Sequence, residues 1–214
     1  MLSTISFFFK SNFLEQFIYE IFILHKQYID KIVNHDFIFN YLMYSKIKID
    51  DYFILKHTMY EMGIFYEQNY NKARYYCELA AELNNSYAFL GLGDIYLNGR
   101  GVEKDFKKAK EYYELSAQQN NSYGICALGL MYFNGEGVEV NYYIAKEYFE
   151  LSAQFNNSNA FLALGFLYKN GYCNKKDYFK AKYYFELSAK QNNPNGYLQL
   201  GHLFYYGKLI DQNY

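Results

Sequence analysis

"ELSAQQNNSY" occupies residues 114–123, and "ELSAQFNNSN" follows 36 residues later at 150–159. The same ten positions read "ELAAELNNSY" at 78–87 and "ELSAKQNNPN" at 186–195, so one phrase is spelled four times at a fixed spacing. A period in the range of roughly 20–50 residues signifies stacked supersecondary units. Laid out from Tyr87, the unit is "YAFLGLGDIYLNGRGVEKDFKKAKEYYELSAQQNNS", and it recurs as residues 123–158 and 159–194. Upstream, residues 57–86 fit the frame with six loop residues missing; downstream, residues 195–214 begin a further, partial unit.

Each unit reads as two helices. Ala88, Leu92, Ile95 and Tyr96 recur at the spacing of one helical face and predict the first. Asn85, Asn121, Asn157 and Asn193 stand at its N-cap, and the sole proline, Pro194, falls at the position where a missing N–H costs nothing. Gly99, Gly135, Gly171 and Gly207 follow as left-handed terminators. The second helix opens at Asp105, matched by Asn69, Asn141 and Asp177, and turns Ala109, Tyr112, Tyr113, Ser116 and Ala117 to one side. Its outer side carries Arg74/Glu78, Lys110/Glu114, Lys146/Glu150 and Lys182/Glu186, pairs that signify a solvated face.

Gly93, Gly129, Gly165 and Gly201 fall mid-helix, with Gly63 read into the same place, where glycine costs ~1 kcal/mol against alanine. A recurring cost implies a recurring need. The expectation is that a neighbouring backbone comes too close for a Cβ, with Ala109, Ala145 and Ala181 as the partners. Ordering one unit costs on the order of 50 kcal/mol at ~1.5 kcal/mol per residue, more than one hairpin's buried side chains offset, so a unit persists only within a row.

L-G-x-x-Y (Leu92, Gly93, Tyr96), G-x-G-V (Gly99, Gly101, Val102) and K-A-x-x-Y (Lys108, Ala109, Tyr112) at this period resemble the Sel1-like repeat, a cousin of the tetratricopeptide repeat. Loops "GYCN" (171–174) and "GKLI" (207–210) depart from G-x-G-V, which puts their shape in doubt. The resemblance implies an all-α chain: a right-handed α/α superhelical solenoid of helix-turn-helix units over residues 53–214. It also implies a scaffold or adaptor that binds a protein or peptide on its concave face. Some bacterial relatives are secreted, with a disulfide in each unit; Cys77, Cys126 and Cys173 do not follow that pattern.

Residues 1–52 stand outside the repeat. Leu14, Phe17, Ile18, Ile21, Leu24, Tyr28 and Ile32 recur at helical spacing, so this segment is expected to form a helical cap over the first unit, with a separate effector module as the alternative. "FLEQFIYEIFILHK" (13–26) is interrupted by Glu15, Glu20 and Lys26, which argues against membrane insertion. The start lacks a basic leader, and three widely spaced cysteines suit a reducing compartment, so an intracellular, cytoplasmic location is expected. The chain is 51% hydrophobic and 20% charged with a net charge of −1, which leaves no cationic excess for nucleic acid.

No residue set here carries chemistry. His25, His35, His57 and His202 form no metal or catalytic motif, and the glycine-rich turns follow no strand, so neither catalysis nor a metal nor a cofactor is expected. What remains is the inner surface. The column Asp94, Leu130, Phe166, His202 varies inside otherwise near-identical units and is the candidate partner-binding groove, beside Asn98, Asn134 and Asn170, which also read as helix terminators. Leu200, Leu203 and Phe204, on the last first-type helix, would lack their usual cover and are the candidates for homo-association through that end. The alternatives to a scaffold are a ligand-binding or hydrolase-like Sel1-type protein, and a structural protein associating through its ends.

Overall fold

The computed structural model describes residues 48–63 and 66–205. Among them are nine α-helices and no strand: α1 (Ile49–Met62), α2 (Tyr70–Glu82), α3 (Ser86–Asn98), α4 (Phe106–Gln118), α5 (Ser122–Asn134), α6 (Tyr142–Gln154), α7 (Ser158–Asn170), α8 (Tyr178–Lys190) and α9 (Pro194–Tyr205). Consecutive helices pair as hairpins, and each second helix packs on the first helix of the next unit, an all-α solenoid. The cap expected from residues 1–52 lies, as far as residue 47, outside the described residues, as do Gly207 and the tail after it. Residues 49–52 belong to α1.

Capping follows the sequence closely. Asn69, Asp105, Asn141 and Asp177 each accept hydrogen bonds from the first turn of α2, α4, α6 and α8, and Asn85, Asn121 and Asn157 do the same for α3, α5 and α7. Gly99, Gly135 and Gly171 close α3, α5 and α7 at φ 70°, 77° and 75°. The first asparagine of every Asn–Asn pair is also left-handed: Asn84, Asn120, Asn156 and Asn192 lie at φ 56–60°. Asparagine tolerates that region better than other residues with a Cβ, and one such residue turns the chain from a second helix into the next first helix.

The repeated phrase builds a polar ladder between hairpins. Ser116 Oγ donates to Ser86 O at 2.8 Å, Ser152 to Ser122 O at 2.7 Å, and Ser188 to Ser158 O at 2.9 Å. Asn121, Asn157 and Asn193 donate from Nδ2 to the hydroxyls of Ser86, Ser122 and Ser158 at 3.2–3.3 Å. Buried polar groups are thereby satisfied across every junction. In the first unit Ala80 replaces the serine, and Asp50 accepts from Asn85 Nδ2 at 2.8 Å in the hydroxyl's place.

Two expectations are corrected. The first unit is not shortened. Asn69 N donates to Tyr60 O at 2.9 Å as Asp105 N does to Tyr96 O at 3.0 Å, both pairs 36 residues apart, so the unit runs from residue 51 without a gap. Gly63 lies just after α1 at φ 68° and aligns with the terminator Gly99, not with Gly93. In that frame His57 takes Gly93's place, and Cys77 takes Tyr113's.

The second correction concerns what the mid-helix glycines face. A Cβ on Gly93, Gly129 or Gly165 would collide with the ring of Tyr113, Phe149 or Phe185, not with a backbone or with Ala109, Ala145 or Ala181. A flat ring laid on a helix needs the hollow that only glycine leaves. The rings are almost wholly buried and centre the packing of each hairpin. Where Cys77 is small, His57 fills the space instead. The motif tyrosines form a second set of contacts: Tyr60–Tyr76, Tyr96–Tyr112, Tyr132–Tyr148 and Tyr168–Tyr184 stack at 5.5–5.8 Å. Lys72, Lys108 and Lys180 lie 5.0–5.2 Å from the centroids of Tyr60, Tyr96 and Tyr168, which explains the lysine of K-A-x-x-Y as a cation over a ring.

Candidate interaction surface

The column expected to form the groove is only partly open. Tyr113 OH donates to Asp94 Oδ1 at 2.6 Å, so Asp94 is committed to the ring lying on Gly93. Burial pushes the Asp94 carboxyl up to about 6, against the pull of the Tyr113 hydroxyl; Glu61 adds to the rise and Arg100 opposes it. Phe166 packs edge-on against Phe185, with centroids 5.6 Å apart. The column thus varies partly to suit the ring beneath it: Tyr113 takes a carboxylate, Phe185 a phenyl edge. Leu130 and His202 are exposed.

Asn98 Nδ2 donates to Asp94 O at 2.8 Å and Asn170 Nδ2 to Phe166 O at 3.0 Å, the arrangement of helix termination; Asn134 Nδ2 donates to Glu136 Oε2 at 3.4 Å. All three asparagines remain exposed at the ends of α3, α5 and α7. At the other candidate surface, Leu200 is half-buried and Phe204 exposed, but Leu203 is 1% exposed, buried with Ala181 and Phe185. Leu203 points back to the preceding hairpin, so it needs no cover from a following one.

Sequence reasoning missed a polar junction between the first two units. Arg100, in the turn after α3, donates from Nη1 to Glu61 Oε1 of α1 at 2.6 Å, and Glu61 Oε2 lies 3.8 Å from His57 Nε2. The same turn position holds Tyr172 two units on, where it meets Phe133 at 5.5 Å and stacks on Tyr142 at 4.4 Å. Charge meets charge in one turn, and ring meets ring in the other. The signal was a variable turn residue standing 39 positions after its partner in both pairs. Lys169 Nζ also donates to Gln199 Oε1 at 2.8 Å, linking α7 to α9, and burial lowers its ammonium below the ordinary value.

The thiols are not poised for nucleophilic work. Burial pushes Cys126 up to about 12 and raises Cys77 and Cys173, while Cys77 Sγ donates to Ala88 O at 3.2 Å and Cys173 Sγ to Tyr142 O at 3.0 Å. All three are free. Among the described residues no cluster of three His, Cys, Asp or Glu is placed to hold a metal ion, and no helix is long and apolar enough to cross a membrane.

The family model described as Sel1 repeat matches residues 58–85, 86–121, 122–154, 158–193 and 194–214. A Sel1 repeat protein from Oxalobacter formigenes is similar in structure, with a TM-score of 0.67 and 28% identity over 77% of this chain and 68% of that one. Cysteine rich protein B of Helicobacter pylori is 28% identical over 53% of this chain and 96% of its own, with a TM-score of 0.43. The search of curated proteins found no match.

Proposed function

Because this chain belongs to the Sel1 repeat family, whose members generally mediate protein–protein interaction, we propose that it is a non-enzymatic scaffold that holds an extended peptide or a protein segment along its row of first helices. The observation that carries the reading is Leu130. It is the one large apolar side chain left exposed on α3, α5 and α7, at 42%. Its neighbours on α5, Ile125, Cys126, Leu128 and Met131, are buried. Around it the exposed side chains of Asn98, Asn134 and Asn170 recur once per unit. Asp94 and Phe166 shape this surface by fixing the rings beneath it.

A photo-crosslinking residue at position 130 should capture a partner in cells, and one at position 143, exposed on α6, should not. Adducts at 143 with none at 130 would contradict the proposal.

A further inference from the structure

Four Asn–Gly pairs occur in the chain: Asn98–Gly99, Asn134–Gly135, Asn170–Gly171 and Asn195–Gly196. A glycine nitrogen after asparagine is shielded by no Cβ, so it can attack the side-chain amide carbon. The first three pairs end α3, α5 and α7, with the asparagine exposed and the glycine left-handed at φ 70–77°. They differ in where the amide points. Asn98 and Asn170 donate from Nδ2 to the carbonyls of Asp94 and Phe166, four residues back, at 2.8 and 3.0 Å. Such a bond turns the side chain toward its own helix and away from the following glycine. Asn134 instead reaches forward, past Gly135, and donates from Nδ2 to Glu136 Oε2 at 3.4 Å. Asn195 lies in the first turn of α9, and the Gly196 after it is packed against Ser188 and Ala189.

We propose that Asn134–Gly135 is the preferred site of spontaneous deamidation in the folded protein, converting a neutral amide one turn from Leu130 to a carboxylate. The Gly135 nitrogen forms a bond to Asn134 Cγ, the Cγ–Nδ2 bond breaks, and Nδ2 leaves as ammonia with the proton that Gly135 gives up. Water then opens the cyclic imide at either carbonyl, yielding aspartate or isoaspartate. In the folded cap Gly135 N donates to Met131 O at 2.9 Å, so that bond has to open first. Gly99 and Gly171 make the same bond to Ile95 O and Leu167 O at 2.9 Å, so it slows all three pairs alike and does not choose among them. Helix ends open at small cost, which lets the step proceed without global unfolding. The new charge stands at the C-terminus of α5, where the macrodipole opposes it, beside Glu136. Nothing in this chemistry depends on what binds around Leu130.

Peptide mapping by mass spectrometry of the full chain, incubated for weeks near neutral pH and sampled over time, reads each pair separately. The expected result is a gain of aspartate and isoaspartate at Asn134 about fivefold faster than at Asn98 or Asn170, the factor that one ordinary hydrogen bond is worth. Asn195 should be slowest. In guanidinium chloride, where the helix bonds are gone, the lead of Asn134 should disappear. Folded-state rates that are equal at the first three pairs, or faster at Asn98 or Asn170, overturn the proposal. So does a folded chain that keeps Asn134 intact while the unfolded chain loses it, and so does a lead that persists unchanged in denaturant.

Discussion

Gly129 and Phe149 meet as a helix backbone and a ring laid flat against it: a Cβ on Gly129 would stand 2.6 Å from the Phe149 ring. Gly129→Ala should therefore destabilise the protein by about 2–3 kcal/mol, although alanine gains ~1 kcal/mol in helix propensity. Gly201→Ala, where a Cβ would meet nothing within 4 Å among the described residues, should be neutral or stabilising by up to ~1 kcal/mol. Urea midpoints of the two variants, measured side by side, check the contrast in sign.

Asn156 and Asn157 stand together but do different work. Asn156 holds φ 56°, so Asn156→Ala should cost about 1 kcal/mol while Asn156→Gly should not destabilise. Asn157 accepts from Asn159 N and Ala160 N and donates to Ser122 Oγ, so Asn157→Ala should cost about 2 kcal/mol, while Asn157→Gly recovers part of the capping but not the bond to Ser122 and should still cost about 1 kcal/mol. Thermal unfolding of the four single variants separates a backbone need from a side-chain need.

Asp94 makes stability depend on pH in an unusual direction. Its carboxyl is raised from 3.8 to about 6, so the folded state holds the proton more tightly than the unfolded chain does. That contribution is fully present below about pH 4 and is lost as the pH rises through about 6. Asp94→Asn can still accept from Tyr113, and should be more stable than the parent at pH 7 by at most about 3 kcal/mol, with the difference shrinking toward pH 4. Denaturation of the pair between pH 4 and 7.5 checks it; a parent that gains on the variant with falling pH supports the sign, and the reverse trend contradicts it.

His57 and Cys77 invert the glycine–ring arrangement of the other hairpins. Cys77→Phe alone would force a ring into space that His57 occupies, and should destabilise by several kcal/mol. His57→Gly with Cys77→Phe recreates the Gly129–Phe149 pairing and should recover much of that loss. A double-mutant cycle on denaturation midpoints reads the coupling, which should be large and favourable.

The period, the two helices per unit and the caps were legible because each rests on local chemistry that repeats: an asparagine before an apolar helix, a glycine after it. The register of the first unit was not. Met62, Gly63 and Tyr66 imitate L-G-x-x-Y, and a helix-ending glycine six residues off cannot be told from a ring seat within one helix. Only the facing residue, Cys77 instead of an aromatic ring, distinguishes them, and that pairing exists between helices. Asp94 was assigned to an open groove for a similar reason. The sequence shows which residues share a face, but not that the Tyr113 hydroxyl reaches across to it; the change from Tyr113 to Phe149 and Phe185 was the available signal. Leu203 was assigned to the open end because its burial comes from the preceding hairpin.

In-register stacking of interchangeable hairpins is tested most directly by excising one whole unit, residues 123–158, which joins Ser122 to Asn159 and leaves each remaining junction with its own serine and asparagine partners. The shortened chain should keep the parent's helicity per residue and unfold cooperatively at a lower temperature. A shortened chain that is unfolded at 20 °C, or that fares no better than a chain from which half a period has been removed at the same place, would contradict it.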